Sequence, residues 1–240
     1  MYDYYASLAY TRASAKGFSH VSVNIDEDIT HCLKIFCSKH KRVLDVGCGP
    51  FELIALGNNA NVVGIDISKT FLRILLNCGF RGTVVQCDCQ HLPFKKQSFD
   101  GLISNQLIEH MTSLTRVKET ISEMQRVSED TIVVTPNSAF YRRMHDPTHF
   151  FFFTVKDLEK IMPSFRIYAS NIPPKETLGY YFLYGSPRLR KMPFIGPLIF
   201  NVFRIIDSSK FLSLLNKKLW VGRHLIAVRK SKHSQITRSN

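Results

Sequence analysis

The sequence has few of the features that mark secreted or membrane-spanning proteins. None of its six cysteines forms a C-x-x-C pair, so neither a zinc site nor a redox dithiol is predicted, and free thiols in a reducing compartment are expected. The chain does not start with a basic leader followed by an apolar core, as a secretory signal does. The longest uncharged run between residues 172 and 222 has 12 residues, 192–203, whereas a spanning helix needs about 20. A cytoplasmic protein is therefore expected.

Acidic residues are almost absent from the C-terminal quarter. Residues 186–240 carry 12 Lys and Arg against a single acidic residue, Asp207, whereas residues 1–185 carry 20 against 18. Nearly all of the formal net charge of +13 therefore lies in that last region. A basic region of this kind is expected to attract an anionic partner, either a membrane surface or a nucleic acid.

Short apolar runs bounded by Gly, Pro or Asp alternate with segments of helical periodicity. This alternation is typical of a parallel sheet wrapped by helices, and 240 residues can bury one sizeable core. The predicted helices are 26–39, 69–78 with Ser68 as its cap, 112–127, and 155–162 with Thr154 as its cap. The predicted strands are 42–47, 62–67, 83–88, 99–104, 131–135, 165–171 and 223–229. We therefore expect a single α/β domain.

The stretch VLDVGCGPFE, residues 43–52, places a carboxylate and two glycines where a predicted strand ends. Glycines before a helix let the backbone approach a ligand closely and direct N–H groups at it. The dinucleotide pattern G-x-G-x-x-G fails at its sixth position, Glu52, which disfavours a diphosphate cofactor and an oxidoreductase. The carboxylate of Asp45 would repel a phosphate and attract an ammonium or a sulfonium. A cationic nucleotide such as S-adenosylmethionine is the predicted ligand.

Three motifs resemble those of the class I S-adenosylmethionine-dependent methyltransferases, most of all the small-molecule and lipid-modifying branch that includes quinone-biosynthesis methyltransferases. They are VLDVGCG, VVGIDIS and QCDCQHLPFKKQSFDGLISNQLIEHM, and together they span residues 43–111. The resemblance implies a Rossmann-like, seven-stranded, mostly parallel sheet with helices on both faces and an antiparallel last strand. We expect one domain made of a lid at 1–40, a cofactor-binding core at 41–171, an acceptor cap at 172–222, and a last strand with a basic tail at 223–240.

The resemblance assigns cofactor contacts to residues at the ends of the first four strands. Asp66 would accept hydrogen bonds from both ribose hydroxyls, a charge-assisted geometry that suits a carboxylate. The other implied contacts are Asp45, Gly47 and Gly49 with the methionine end, Ile67 and Asp88, with Cys89 beside it, at the adenine, and Asn105 on the floor near the sulfonium. Taken singly, Asp66 also suits a helix cap, Asp88 a turn and Cys89 a packing position.

A general base assists methyl transfer to a hydroxyl, and histidine is the commonest base near neutral pH. The first candidate is His110, after the fourth strand, and His145 and His149 follow the fifth. A helix-capping role for His110 and a loop-fixing role for the other two stay open. Ubiquinone O-methyltransferases, which LIEHM also resembles, carry an acidic residue where this chain has Gln106, and there the acidic residues and the histidine are linked to a divalent metal. Glu109 and His110 remain in this chain, but the carboxylate at position 106 is missing, so no metal is predicted.

The acceptor is expected to be a small molecule or a lipid-linked quinone, polyprenyl or sugar, methylated at a hydroxyl. Residues 172–222 mix bulky apolar residues with Arg and Lys, which favours an anionic membrane surface bound through residues 186–240. Instead of binding a membrane, the cap could pack on its own core. Likewise, the N-terminal tyrosines could pack on the sheet edge instead of forming a lid, and both alternatives stay open. The alternatives are an RNA methyltransferase that uses the basic region, and a chain that binds the cofactor without turnover.

Overall fold

The computed structural model describes residues 27–57, 61–138, 148–169 and 224–231. Within these ranges seven strands form one sheet, and all seven predicted strands are confirmed. They are β1 (Val43–Val46), β2 (Val62–Asp66), β3 (Thr83–Gln86), β4 (Phe99–Asn105), β5 (Ser128–Pro136), β6 (Arg166–Ala169) and β7 (His224–Arg229). The helices are α1 (Glu27–Ser38), α2 (Glu52–Ala55), α3 (Lys69–Asn77), α4 (Leu114–Val127) and α5 (Val155–Ile161), and a single 3-10 turn spans Ile108–His110.

The sheet has the strand order β3-β2-β1-β4-β5-β7-β6. Strands β1 to β5 run parallel, and β7 pairs antiparallel with β5 and β6, which confirms the predicted antiparallel last strand. The chain moves outward from β1 to β3 and then returns to build β4 and β5 on the other side of β1. Open sheets bind ligands at the carboxyl edge of such a reversal, which here lies between β1 and β4.

Helices cover both faces of the sheet, as predicted. Successive strand side chains point to opposite faces, so β1 gives Leu44 to one buried cluster and Val43 to the other. Helices α4 and α5 cover the first face, and α1 and α3 cover the second. The helix residues buried there include Met124 and Leu158 on the first face and Leu33 and Leu75 on the second. Each such side chain stabilises the fold by about 1.5–3 kcal/mol, so the sheet is a rigid platform for its loops.

Local signals determine where the helices begin. Ser68 is the N-cap of α3, and its Oγ accepts a backbone N–H of that helix at 3.2 Å, as predicted. Thr154 and Asp157 form a reciprocal capping box at the start of α5. Helix α4 begins two residues later than predicted, at Leu114, because the Ser113 hydroxyl accepts a backbone N–H of the first turn and serves as the N-cap.

Several predicted regions fall outside the described residues. Of the lid predicted at 1–40, the part before residue 27 lies outside, whereas the helix predicted at 26–39 is confirmed as α1. The predicted cap at 172–222 lies entirely outside, and so does most of the basic region. Within the described ranges, no helix combines the length and apolarity that crossing a bilayer requires.

Candidate active site at the carboxyl edge of the sheet

A cavity of about 280 Å³ opens at the carboxyl edge of the sheet, beside the reversal of strand order. The segments that follow β1, β2, β3 and β4 build its wall together with the loop that precedes α5. Eight predicted site residues line it: Gly47, Gly49, Asp66, Ile67, Asp88, Cys89, His110 and His149. Asp45 and Asn105 are not on its wall, and His145 lies outside the described residues.

The glycine turn after β1 packs closely against β2, and the approach to a ligand that its sequence predicts stays a prediction. The N–H groups of Gly47 and Cys48 both donate to the Ile65 carbonyl at 2.9 Å, which joins the turn to β2. Gly47 has φ +76 and Gly49 has φ +55, a region that side chains disfavour. A Cβ on Gly47 would lie 2.8 Å from Leu107 on the opposite wall. Glycine therefore keeps this part of the cavity open.

Asp66 ends β2 and fixes the turn from the other side. Its Oδ2 accepts the N–H of Gly49 at 3.0 Å, and its Oδ1 accepts the N–H of Ser68 at 2.7 Å. Burial raises the pKa of Asp66, and the backbone bonds from Ser68, Gly49 and Ile67 oppose that rise. Its carboxylate thus has a fixed orientation on the cavity wall, where its contact with ribose stays a prediction.

Asp45 lies behind the glycine turn rather than on the cavity wall. Its side chain is fully buried, and within the described residues neither carboxyl oxygen has a hydrogen-bond partner. Burial raises its pKa well above the usual value, and the nearby Asp66 charge raises it further. A buried carboxyl without a partner is costly unless a cation or donor reaches it. The cationic methionine end of S-adenosylmethionine fits this requirement.

Glu52 adds a second carboxyl to the same buried region. Burial raises the pKa of Glu52 well above the usual value, and the charge of Asp45 raises it further. A side-chain hydrogen bond with Asn105 opposes this rise. Asn105 therefore supports Glu52 from the end of β4, and the structure does not place it on the predicted floor of the cavity. The acidic character behind the turn is greater than Asp45 alone would provide.

The predicted adenine side combines apolar and polar groups. Ile67 is 43% exposed at the cavity, so its side chain could pack on the flat face of an adenine ring. The Oδ1 of Asp88 accepts the N–H of Gln90 at 3.0 Å, so part of its role is to hold a turn. Burial raises the pKa of the Cys89 thiol to about 11, which keeps it neutral near pH 7.

Arg116 also borders the cavity, and sequence reasoning missed it. Its guanidinium lies 3.5 Å from Asp88 Oδ2, an ion pair between α4 and the loop after β3. Arg116 stands outside the strand-end motifs, and only the packing of α4 brings it to the cavity. The first turn of α4 carries no signal in the sequence that would have indicated this position.

Two histidines form another part of the cavity wall, which we call the histidine end. The rings of His110 and His149 meet edge to face with their centroids 4.8 Å apart. Nδ1 of His110 donates to the Thr148 carbonyl at 3.1 Å, so in the neutral ring the lone pair is on Nε2. The structure thus brings together two of the three predicted histidines, which are 39 residues apart in the sequence.

Two further residues complete this end. Glu109 is fully buried, and its Oε2 accepts the hydroxyl of Thr135 at 3.0 Å. Gln106 has φ +57, a strained conformation for a residue with a side chain, and it lines the cavity directly after β4. Together, Glu109, His110 and His149 could hold a metal ion, since each offers one ligand atom and these atoms lie within 4.8 Å of one another.

Comparison with known proteins identifies the shared part of the chain. Residues 44–131 match the family described as a methyltransferase domain. The chain is 34% identical over 85 residues to the probable tRNA methyltransferase 9B of Mus musculus, a stretch that covers 35% of this chain and 19% of that protein. It is 34% identical over 95 residues to the malonyl-[acyl-carrier protein] O-methyltransferase of Legionella pneumophila, which covers 37% of this chain and 34% of that protein.

The solved structure of a SAM-dependent methyltransferase from Archaeoglobus fulgidus has the same fold. Its TM-score is 0.53 at 22% identity, and the match covers 85% of this chain and 93% of that chain. By contrast, the chain spans only about a fifth to a third of the length of the two curated relatives. The part that matches the methyltransferase-domain family, residues 44–131, runs from β1 into β5 and includes the segments after β1 to β4 that line the cavity, whereas the loop that carries His149 lies beyond it.

Proposed function

We propose that this chain, which carries a class I S-adenosylmethionine-dependent methyltransferase domain, transfers the methyl group of that cofactor to an oxygen of a small-molecule or lipid-linked acceptor. The observation that carries the proposal is that His110 and His149 share one cavity with Asp66 and Asp88. Carboxylates suit the hydroxyl and amino groups of a nucleoside, whereas imidazoles suit an acceptor hydroxyl that must lose its proton. One cavity therefore offers both ends of a methyl transfer.

The chain's main task is to bind the cofactor and align it. When bound, S-adenosylmethionine supplies a methyl group on a sulfonium that is already activated for displacement. The Asp66 carboxylate, oriented by two backbone N–H groups, would accept the ribose hydroxyls, and Ile67 would pack on the adenine. Burial raises the pKa of Asp45 and Glu52, and a cationic methionine end nearby would favour their ionised forms again. Fixed alignment of this kind supplies much of the rate in a two-substrate reaction.

The histidine end would receive the acceptor oxygen. The hydrogen bond from His110 to Thr148 fixes the ring and directs its lone-pair nitrogen, Nε2, away from that carbonyl. Only His110 and His149 bring imidazole to the wall of this cavity within the described residues. An oxygen acceptor agrees with the name of the Legionella relative, which is an O-methyltransferase.

The test is a transfer assay with methyl-labelled S-adenosylmethionine and a host-cell extract divided into lipid, small-molecule, RNA and protein fractions. We expect label in the lipid or small-molecule fraction with the wild-type protein, and roughly 30-fold less with Asp66→Ala when the cofactor is not saturating. Label in the RNA fraction alone would contradict the proposed acceptor. Release of no S-adenosylhomocysteine with any fraction would instead indicate a chain that binds the cofactor without turnover.

A tRNA acceptor is the second candidate, and a specific observation favours it. The chain is similar to a probable tRNA methyltransferase, and the basic residues in 186–240 could contact a phosphate backbone. Binding through phosphates weakens steeply with salt, because counterions are released on binding. Filter binding of tRNA at rising salt measures this, and affinity that is weak and independent of salt would exclude the candidate.

The hypothesis that the basic region binds an anionic membrane makes a separate prediction. If residues 186–240 hold the protein at an anionic membrane, liposome flotation should require anionic lipid and fall as salt rises. Neutral liposomes are the matched control. Flotation that is indifferent to both lipid charge and salt would argue against a peripheral membrane location.

A further inference from the structure

Two carboxyl groups lie behind the glycine turn, at the carboxyl ends of β1 and β4. Asp45 points to the same face of the sheet as Val43, whose side chain belongs to the cluster on the second face. Glu52 is the first residue of α2, directly after the turn. Asp45 pairs in register with Ile103 of β4, and Asn105, two residues further along that strand, forms a side-chain hydrogen bond with Glu52. The strand pairing and this bond therefore hold both carboxyls in one region.

The buried oxygen atoms of this region lack hydrogen-bond donors. Within the described ranges, both carboxyl oxygens of Asp45, Oε1 of Glu52 and Oδ1 of Asn105 are buried and have no hydrogen-bond partner. Asp45 is fully buried, whereas Glu52 is partly exposed as a residue. Among the described residues, no Lys, Arg or His forms an ion pair with either carboxyl. Two ionised carboxylates in this region would destabilise the fold strongly, because nothing offsets their charge.

We propose that Asp45 and Glu52 share one proton in the free protein and release it when the cationic end of S-adenosylmethionine binds. This link to the cofactor rests on the proposed function. A shared proton leaves one negative charge instead of two, and its O–H group supplies a donor that no neighbour provides. When the cofactor binds, the O–H bond breaks and the proton passes to solvent, because the ammonium and sulfonium then offset both carboxylates. Glu52 is thereby a further residue of the cofactor site.

The electrostatics of the two carboxyls have the direction that a shared proton requires. Burial raises the pKa of Asp45 well above the usual value, and the charge of Asp66 raises it further. Burial likewise raises the pKa of Glu52, and the charge of Asp45 adds to that rise. Ionisation of one carboxyl therefore makes ionisation of the other harder, so the pair keeps its last proton to a higher pH than one buried carboxyl would.

The other titratable groups that act on the pair within the described ranges are Cys37, Cys48 and Asp66. Burial raises the pKa of the Cys37 thiol to about 12 and that of Cys48 well above the usual value, so both thiols stay protonated near neutral pH. Burial also raises the pKa of Asp66, but its bonds from the N–H groups of Gly49 and Ser68 favour the ionised form. Of these three groups, only Asp66 is an alternative source of a released proton.

A proton released on binding makes the affinity for the cofactor depend on pH. Where one proton is released, the affinity rises by up to about 10-fold for each pH unit, until the free protein has lost the proton as well. The range from about pH 5.5 to about pH 7 suits the measurement, because the amino group of the cofactor loses its own proton near about pH 7.7–8.0. Wild-type affinity should therefore increase across this range.

The experiment is calorimetric titration of the full-length protein with S-adenosylmethionine across this pH range, in two buffers of different ionisation enthalpy. The difference in heat between the buffers gives the number of protons released for each cofactor bound. We expect a maximum of about one proton for the wild type and less than about half of that for Glu52→Gln. The matched control is Glu159→Gln, the same change at an exposed position of α5, which should release as many protons as the wild type.

Two outcomes would overturn the shared proton. One is a binding heat that is the same in both buffers throughout the pH range. The other is equal proton release by the wild type and Glu52→Gln, which would assign the proton to Asp66 or to the two cavity histidines. Asp45→Asn, checked for folding by thermal unfolding, is the second variant and should also reduce the release. Cofactor binding without proton release would refute the pair and leave the proposed function standing, whereas a wild-type protein that binds no S-adenosylmethionine would contradict the proposed function itself.

Discussion

The two ends of the cavity differ in chemistry and in construction. At one end, which we call the cofactor end after its predicted ligand, three carboxyl groups surround the glycine turn: Asp66 is on the cavity wall, Asp45 and Glu52 lie behind it, and burial raises the pKa of all three. The histidine end, which we also call the acceptor end after its proposed role, holds His110 and His149. Hydrogen bonds between two loops hold these residues in place. The cofactor end therefore carries an acidity that costs stability until a cation offsets it, whereas the acceptor end is oriented by the fold. Binding and activation should accordingly respond to different mutations.

The largest expected effect separates the acceptor end from the cofactor end. His110→Ala should lower methyl transfer by about 100-fold or more, since activation of an acceptor contributes about 10²–10⁴-fold. The affinity for S-adenosylmethionine should stay unchanged, because His110 belongs to the other end of the cavity. Single-turnover transfer and calorimetry measure the two quantities. An equal loss of methyl transfer and of cofactor affinity would mean that His110 contributes to cofactor binding, so that the two ends do not act separately.

The next effect acts on the cofactor end. Asp66→Ala removes the ribose acceptor and the two bonds that orient the turn, so cofactor binding should weaken by about 2 kcal/mol or more, roughly 30-fold. Asp100→Ala is the matched control, because that carboxylate is exposed on β4 and away from the cavity. Calorimetric affinity that Asp66→Ala leaves intact would refute the ribose assignment.

A pair of glycine variants tests whether the turn is specialised for close approach. Gly47→Ala should lower the free energy of unfolding by about 2 kcal/mol. The backbone of residue 47 has φ +76, which alanine disfavours, and the added Cβ would lie 2.8 Å from Leu107. Gly79→Ala has φ +95 but nothing within 4 Å, so it should cost about 1 kcal/mol. Urea unfolding of both variants compares the costs. Equal costs would mean that Leu107 moves aside freely.

The smallest effect concerns the stability cost of the acidic end. The unfolded Asp45 carboxyl loses its proton near pH 4, whereas the folded one keeps it to a higher pH, so the free energy of unfolding falls as pH rises through that window. The side chain of Asp45→Asn does not titrate, so the variant should not show this loss. Without cofactor, the free energy of unfolding of the variant relative to that of the wild type should therefore rise by about 1 kcal/mol between about pH 5 and pH 8. Thermal unfolding at both pH values measures the gain. A gain that is independent of pH would mean that Asp45 titrates like an exposed carboxyl.

The cofactor end could be predicted from the sequence because its residues belong to contiguous motifs on neighbouring strands. Asp45 is the last residue but one of β1 and Asp66 ends β2, and the two strands pair in parallel, so their order in the chain already places both residues near one edge. The exception is Asp45 itself, which is buried behind the turn because the close turn to β2 covers it. The neighbouring Glu52 was noted in the sequence only because it replaces the last glycine of the G-x-G-x-x-G pattern.

The acceptor end could be predicted only in part. His110 and His149 were candidates from their positions after strands, but their contact depends on a loop that docks on Glu109 through backbone bonds. The resemblance alone linked Glu109 and His110 to a metal, whereas the approach of His149 to them depends on such bonds, which carry no residue signature. Arg116 reaches the cavity through the packing of α4, which is equally a property of the folded chain.

The most direct test of the account is calorimetric titration of the purified wild-type protein with S-adenosylmethionine and, separately, with NADH. The buried carboxyls and the glycine turn predict that S-adenosylmethionine binds at one site and that NADH, with its diphosphate, does not. Binding of NADH without binding of S-adenosylmethionine would contradict the cofactor assignment and, with it, the proposed methyl transfer.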